Sequence, residues 1–337
     1  MSTRTGKQTV VMSNPPVIIG GAAIVGRKEG DGPLARYYDQ IVDDEYFGEK
    51  SFEKAESRLL RDTLVKALEK CGKSASDLNF IISGDLQNQC TAASYALRDV
   101  RVPFIGIYGA CSTMAESLCI GAALIDGDAA EMTACITSSH FCSAEKQFRY
   151  PLEFGYQRTP TSQWTVTGAG CVLLGKQGDG PAITSFTAGI ITDMGIKDAN
   201  NMGGAMAPAA CDTILRHLED TGRSLDYYDL VLTGDLGSFG RSMLIRLLKG
   251  NGIDVKDRYN DCGCMVFDLE KQDVVCGGSG CGCSAVVLSS YILEMMNQGK
   301  LNKVLFVATG ALHSPTWVQQ GESIPCIAHA VSLENVG

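Results

Sequence analysis

The strongest constraint on this 337-residue chain is an internal repeat. The stretch from Asp62-Thr63-Leu64 to Gly84-Asp85-Leu86 matches Asp212-Thr213-Ile214 to Gly234-Asp235-Leu236 without a gap, residue 62 pairing with 212 at an offset of 150. Leu68/Leu218, Glu69/Glu219, Gly72/Gly222 and Ser74/Ser224 are identical pairs. A second ungapped match pairs Cys111-Ser112 with Cys283-Ser284, Ile120 with Ile292, Gly127 with Gly299 and Thr137 with Thr309, now at an offset of 172. The rise from 150 to 172 places a 22-residue insertion in the second copy, between Leu236 and Cys283. Two matches in the same order indicate a duplicated half.

Each copy reads helix, strand, helix, strand. Leu60, Leu64, Ala67/Leu68 and Cys71 recur at helical spacing, and Gly72 stands where a helix usually stops. Short apolar runs at 80–83, 104–108 and 132–136 read as strands, with a helix over 112–127 between the last two. Continuous apolar strands alternating with helices predict a parallel-rich sheet covered on both faces. Two such halves, 1–178 and 179–337, would bury their central helices between two sheets. On this reading His217, which aligns with Ala67, lies on the exposed side of its helix.

Composition narrows the function. There are 29 basic and 38 acidic side chains, a net charge of −9 that disfavours phosphate backbones, so no nucleic-acid partner is expected. The apolar runs at 17–25 and 304–308 are too short to span a bilayer, and Met1–Thr9 lacks the apolar core of an export signal. The 14 cysteines therefore read as reduced thiols of a cytoplasmic protein. The chain has no Cys-x-x-Cys pair and no Gly-rich dinucleotide or Walker fingerprint, so neither a metal site nor a cofactor is expected.

The run Phe104-Ile105-Gly106-Ile107-Tyr108 leads through Gly109-Ala110-Cys111-Ser112-Thr113 into a helix. A cysteine at a helix N-terminus has free N–H groups and a dipole that stabilise its thiolate, the setting of a nucleophile. The bland alternative is a small buried hydrophobe.

A duplicated half with cysteine leading the first central helix resembles the thiolase and ketoacyl-synthase superfamily. One branch, the stage V sporulation protein AD family, is more similar still. The resemblance rests on Lys28-Glu29-Gly30-Asp31-Gly32-Pro33-Leu34, Gly109-Ala110-Cys111-Ser112-Thr113, Ser138-Ser139-His140 and Gln147-Phe148-Arg149-Tyr150-Pro151. It continues through Asn201-Met202-Gly203, Ala205-Met206-Ala207-Pro208, Ser279-Gly280-Cys281 and the stretch from Glu322 to His329. It implies a thiolase-like, duplicated αβαβα layered α/β fold and binding of dipicolinic acid (pyridine-2,6-dicarboxylate), free or as its calcium chelate, during sporulation. It further implies a likeness to proteins that pair as homodimers through a sheet edge and work with other stage V sporulation proteins. Such a protein would sit peripherally at the spore inner membrane.

Thiolases also use a histidine in a Gly-His-Pro turn and a second cysteine to move protons. By resemblance the turn falls near Gly278-Ser279-Gly280, and the ketoacyl-synthase histidine near Gly234-Asp235-Leu236; neither stretch holds a histidine. Cys326 falls near the second cysteine, with His329 three residues beyond. The expectation is a catalytic pocket kept for binding, with no catalytic residue. Two carboxylates need cations or N–H donors, so the candidate ligand-binding residues are Cys111, Ser139, His140, Lys28 and Arg149, with His313 at the matching strand end of the second copy. Asp85 and Asp235 end equivalent strands and read as structural turn residues. The rival expectations are an acyl-transfer enzyme using Cys111 and a scaffold whose pocket is empty.

Overall fold

The duplication is visible element by element in the computed structural model, which describes residues 2–148 and 158–335. The chain opens with β1 (Thr3–Thr5), β2 (Thr9–Val11), β3 (Val17–Gly26), α1 (Arg27–Gly30), β4 (Gln40–Val42) and α2 (Phe52–Lys70). It continues through β5 (Phe80–Gly84), α3 (Thr91–Leu97), β6 (Phe104–Gly106), α4 (Thr113–Asp126), β7 (Met132–Ser139), α5 (Phe141–Phe148), β8 (Trp164–Thr165) and β9 (Gly168–Gly175). The second copy begins with β10 (Ala182–Thr187), α6 (Met202–Thr221), β11 (Leu230–Thr233), α7 (Gly237–Gly250), β12 (Tyr259–Asp261) and α8 (Cys262–Met265). It ends with β13 (Gly278–Ser279), α9 (Cys281–Val287), α10 (Leu293–Asn297), β14 (Lys303–Ala311), α11 (Pro315–Gln319) and β15 (Cys326–Glu334).

Helices α2 and α6, and strands β5 and β11, start 150 residues apart, as the repeat requires. Strands β6 and β12 start 155 apart, so five of the 22 extra residues lengthen the α7 segment. The other 17 lie between β12 and α9, where they build α8 and β13.

Strand order is β12-β11-β14-β15-β10-β3-β9-β7-β5-β6. Read outward from the middle, each half is the same list: two antiparallel strands, then a parallel trio. The two sheets expected of the halves are joined edge to edge into one continuous sheet. Along this strand order the pair Ala182↔Val17 joins the halves, flanked by Ile18 N donating to Pro181 O at 2.8 Å and Ile183 N donating to Pro16 O at 2.9 Å. The first residues cross over, because the β1–β2 hairpin pairs with β10 and extends the second half.

Alternation along the strands sorts the core into layers. Val172 and Leu174 of β9, with Phe306 and Val331 of the second half, pack around Met114 and Leu118 of α4 and Val286 of α9. The intervening Cys171 and Leu173 face the other way, onto Leu60, Leu64 and Leu68 of α2. In β14, Leu305 and Val307 likewise face Met206, Ala210 and Ile214 of α6. Helix, sheet, helices, sheet, helix is the αβαβα order. A π-helical turn, Leu288–Ile292, links α9 to α10.

His217 is fully buried, contrary to the reading of its helix face. Ala67 is buried too, so the repeat itself puts position 217 against a sheet. Its ring bonds Thr187 Oγ1 at 2.7 Å and the Tyr228 hydroxyl, and burial drives its pKa down to about 4.

Candidate functional site

Strand β6 ends short of the junction cysteine. Ala110–Ser112 form a tight 3₁₀ turn, with Ala110 at φ +49°, and α4 begins only at Thr113. The turn is closed by Ser112 Oγ donating to Gly109 O at 2.7 Å and Thr113 Oγ1 donating to Ala110 O at 2.7 Å. Strand β14 presses on it from the second half, where a Cβ on Gly310 would lie 2.1 Å from Gly109 O. Cys111 is consequently 5% exposed. Burial first, and then the nearby Asp235 carboxylate, hold its thiol well above the ordinary cysteine range. Desolvation thus opposes the thiolate expected from the helix-terminus argument.

Asp235 is the centre of this arrangement, and the repeat shows how it came free. Its counterpart Asp85 caps the following helix, accepting from Gln87 N and Ala93 N, both at 2.8 Å. In the second half Asp261 does that work, accepting from Leu236 N and Gly237 N, both at 2.9 Å. Asp235 instead accepts from Ser279 Oγ at 2.9 Å, Gly280 N at 3.0 Å and Thr309 Oγ1 at 2.9 Å. Its pKa is raised by complete burial, against the pull of these donors. The loop after β11 and the loop at β13 thus meet as an Asp235–Ser279 hydrogen bond.

Cys111 and Ser279 lie in a narrow cleft of about 40 Å³. Buried Thr165, Glu145 and His313 and the more exposed Tyr108, Phe148 and Met202 line it too, together with Leu86 and three alanines. The His313 ring leans on Phe148, with centroids 5.6 Å apart. Glu145 lies 3.7 Å from the Arg158 guanidinium, which also covers Trp164 at 4.5 Å.

The other candidates lie elsewhere. Lys28 sits over the Trp164 ring at 3.8 Å, its pKa lowered mainly by burial, and Trp164 stacks on Phe141 at 3.9 Å. His140 accepts from Cys142 N at Nδ1, so Nε2 carries the proton and donates to Glu45 O at 2.8 Å. Its ring packs against Phe47 and Phe52, and burial keeps it neutral, so it supplies no cation. Ser139 Oγ donates to Val166 O at 2.7 Å and accepts from Gly282 N at 3.0 Å, a strap between β7 and α9. Arg149 lies outside the described residues. Cys326 belongs to the outer core beside α6, and His329 on β15 accepts from Gly189 N with its pKa down to about 4, so neither meets Cys111.

Glu145, Thr165 and Tyr108 escaped sequence reasoning, because nothing in their local pattern separates them from structural residues. All fourteen cysteines are free thiols, and among the described residues no group of three or more His, Cys, Asp and Glu is placed to hold a metal ion. No helix among the described residues is long and apolar enough to cross a membrane.

Comparison with solved structures supports the fold. The chain superposes on 3-oxoacyl-[acyl-carrier-protein] synthase III from Aquifex aeolicus with a TM-score of 0.59 at 15% identity, covering 95% of this chain and 99% of that one. It superposes equally on human mitochondrial 3-ketoacyl-CoA thiolase, solved with CoA, with a TM-score of 0.59 at 12% identity over 97% and 99% of the two chains. At such identities the likeness concerns architecture alone. Sequence is more specific: stage V sporulation protein AD of Bacillus subtilis (strain 168) is 44% identical over 333 residues, 99% of this chain and 98% of that protein. The model of that family, described as stage V sporulation protein AD, matches residues 6–334. The chain therefore belongs to the stage V sporulation protein AD family, a family of sporulation proteins, and carries it on a thiolase-like fold.

Proposed function

We propose that the protein is a non-catalytic receptor for dipicolinic acid, using the Cys111 cleft, and supports uptake of that compound into the developing spore. One observation carries this reading: beside Cys111, where a condensing enzyme needs an imidazole to take up a proton, stands the buried carboxylate of Asp235. A buried thiol with a raised pKa is a poor nucleophile but a good small wall for a ligand.

The cleft offers hydroxyls from Ser279, Thr165 and Tyr108 to carboxylate oxygens, and the Phe148 and His313 rings to an aromatic plane. Glu145 is paired with Arg158, so among the described residues the cleft offers no uncompensated cation to a free dianion and the neutral calcium chelate is the better-matched form. At about 40 Å³ the cleft admits a few waters, and an aromatic diacid enters only if Phe148 or His313 turns aside. Calorimetric titration of dipicolinate, with and without calcium, tests the reading. His313→Ala should weaken binding by about tenfold or more, whereas Lys28→Ala and His140→Ala, away from the cleft, should leave it intact. Unchanged affinity in His313→Ala would discard the site.

Partnership with other stage V sporulation proteins at the spore inner membrane belongs to the same proposal, as does a homodimer. Edge strand β6 supports the dimer, since Phe104 on it is 39% exposed and Tyr108 just beyond is 43% exposed. A second reading, acyl transfer through Cys111, is favoured by His313 lining the same cleft. Incubation with acetyl-CoA or a malonyl thioester, followed by mass spectrometry of Cys111, separates the two, since stable acylation with turnover contradicts a pure receptor.

A further inference from the structure

A second cleft, of about 540 Å³, runs between α2 and α3 on the outer face of the first half and shares no lining residue with the Cys111 cleft. Lys54, Arg58 and Arg61 line it, four and three residues apart and so on one face of α2. Arg98, just past α3, faces them with Tyr95, whose ring lies 5.5 Å from the guanidinium and is 61% exposed. Glu49 and Glu53 also line the cleft, but Glu53 is held by Lys146 at 2.6 Å and Glu49 lies 3.9 Å from Arg58. Arg58 and Arg61 reach Asp62 at 3.4 and 3.7 Å, and Arg98 reaches Asp99 at 3.5 Å. These are exposed pairs of the kind that exchange readily for another anion. Among the described residues Lys54 has no ion-pair partner.

The second half shows that neither the opening nor its charge is required by the fold. The counterparts of Lys54, Arg58 and Arg61 are Gly204, Pro208 and Cys211. There α7 lies directly on α6: a Cβ on Gly240 would stand 2.5 Å from Gly203 O, and Gly203 is the counterpart of Glu53. One copy thus closes the helix pair with glycines, while the other leaves a cleft lined by four cations and the carboxylates of Glu49 and Glu53.

We infer that the α2–α3 cleft is a docking site for an acidic peptide segment of a protein partner. The chain as a whole carries −9, so a flat anionic membrane would meet its general repulsion, whereas a narrow segment entering a concave groove meets the local cations first. Exposed Tyr95 and the neighbouring Ala96 supply apolar contact, which suits side chains rather than an inorganic anion.

Fluorescence anisotropy on the full chain tests this, using a labelled peptide of alternating Glu and Leu as probe, with inorganic phosphate and phosphatidylglycerol vesicles as competitors. Saturable binding is expected, weakening as salt rises and resisting phosphate and vesicles. The double reversal Lys54→Glu with Arg61→Glu should weaken it by about tenfold or more, while Lys249→Glu on α7 should not. Both reversals change exposed side chains, and an unaltered melting curve confirms that the fold is kept. Peptide binding that ignores the double reversal overturns the inference, as does vesicle binding without peptide binding, or no saturable binding at all.

Discussion

At the scale of single residues, the chemistry of the cleft follows from a buried thiol whose pKa is raised first by burial and then by the nearby Asp235 charge. Each unit by which a thiol is raised removes about nine-tenths of its thiolate at a given pH. Replacing Asp235 with Asn deletes the charge while keeping the outline of the side chain. Iodoacetamide should therefore alkylate Cys111 several-fold faster in Asp235→Asn at pH 8, read by mass spectrometry, and an unchanged rate would remove Asp235 from this role. Gly-Asp-Leu is identical in the two copies, so the sequence gives no hint that the two aspartates differ. The difference comes from Asp261, which lies 26 residues further on and reaches Leu236 N only because β12 pairs beside β11. Local pattern singled out Cys111; long-range hydrogen bonding set Asp235 apart from Asp85.

At the scale of elements, two contacts position the cleft. Helix α5, which brings Ala144, Glu145 and Phe148 to it, is tied to α2 through Glu56, which accepts from Ser143 Oγ at 2.6 Å, Ser138 Oγ at 3.2 Å and Gln87 Nε2 at 2.8 Å. Burial, with the Asp85 charge adding to it, raises Glu56 to about 7. Because the folded value lies above the unfolded one, near 4.5, the stabilising contribution of Glu56 is full at low pH and lost as pH rises from about 4.5 through 7. Glu56→Gln keeps the acceptor toward Ser143 and Gln87 and can donate to Ser138. It should be more stable than the native chain at pH 8 by on the order of 1–3 kcal/mol, with no such gain at pH 4. Thermal melts at the two values check this, and an equal effect at both would contradict it. Gly310→Ala makes the converse test: its Cβ meets backbone, which cannot swing away, so a loss of about 1–3 kcal/mol is expected in denaturant melts. A variant as stable as the native chain would show that β14 does not press on the Cys111 turn.

At the scale of the whole molecule, the repeat made the architecture legible early. Period-two alternation in β9 and β14 and the offset of 150 between α2 and α6 imply halves stacked through central helices. Illegible were the joining of the sheets through Ala182↔Val17 and the transfer of β1–β2 to the second half, which depend on where two distant strands meet. Of the candidates read from the sequence, Cys111 and His313 line the same cleft. Lys28 and His140 appear in shared motifs, but their side chains brace Trp164 and the Glu45 carbonyl, which no motif spacing reveals. The inserted residues before α9 show the same limit: Gln272 holds the Lys28 carbonyl at 2.7 Å, and β13 pairs with β8 beside the cleft. If the β6 edge forms the proposed homodimer, Phe104→Arg should halve the mass seen by analytical ultracentrifugation; a dimer that persists would move the interface elsewhere.

A crystal structure grown with dipicolinate and calcium tests the receptor claim most directly. The account predicts planar density between Cys111, Phe148 and His313, its carboxylates within hydrogen-bonding distance of Ser279 or Thr165 and the cysteine unmodified. Density for the diacid at another place on the surface, or an acyl group on the Cys111 sulfur, would contradict it.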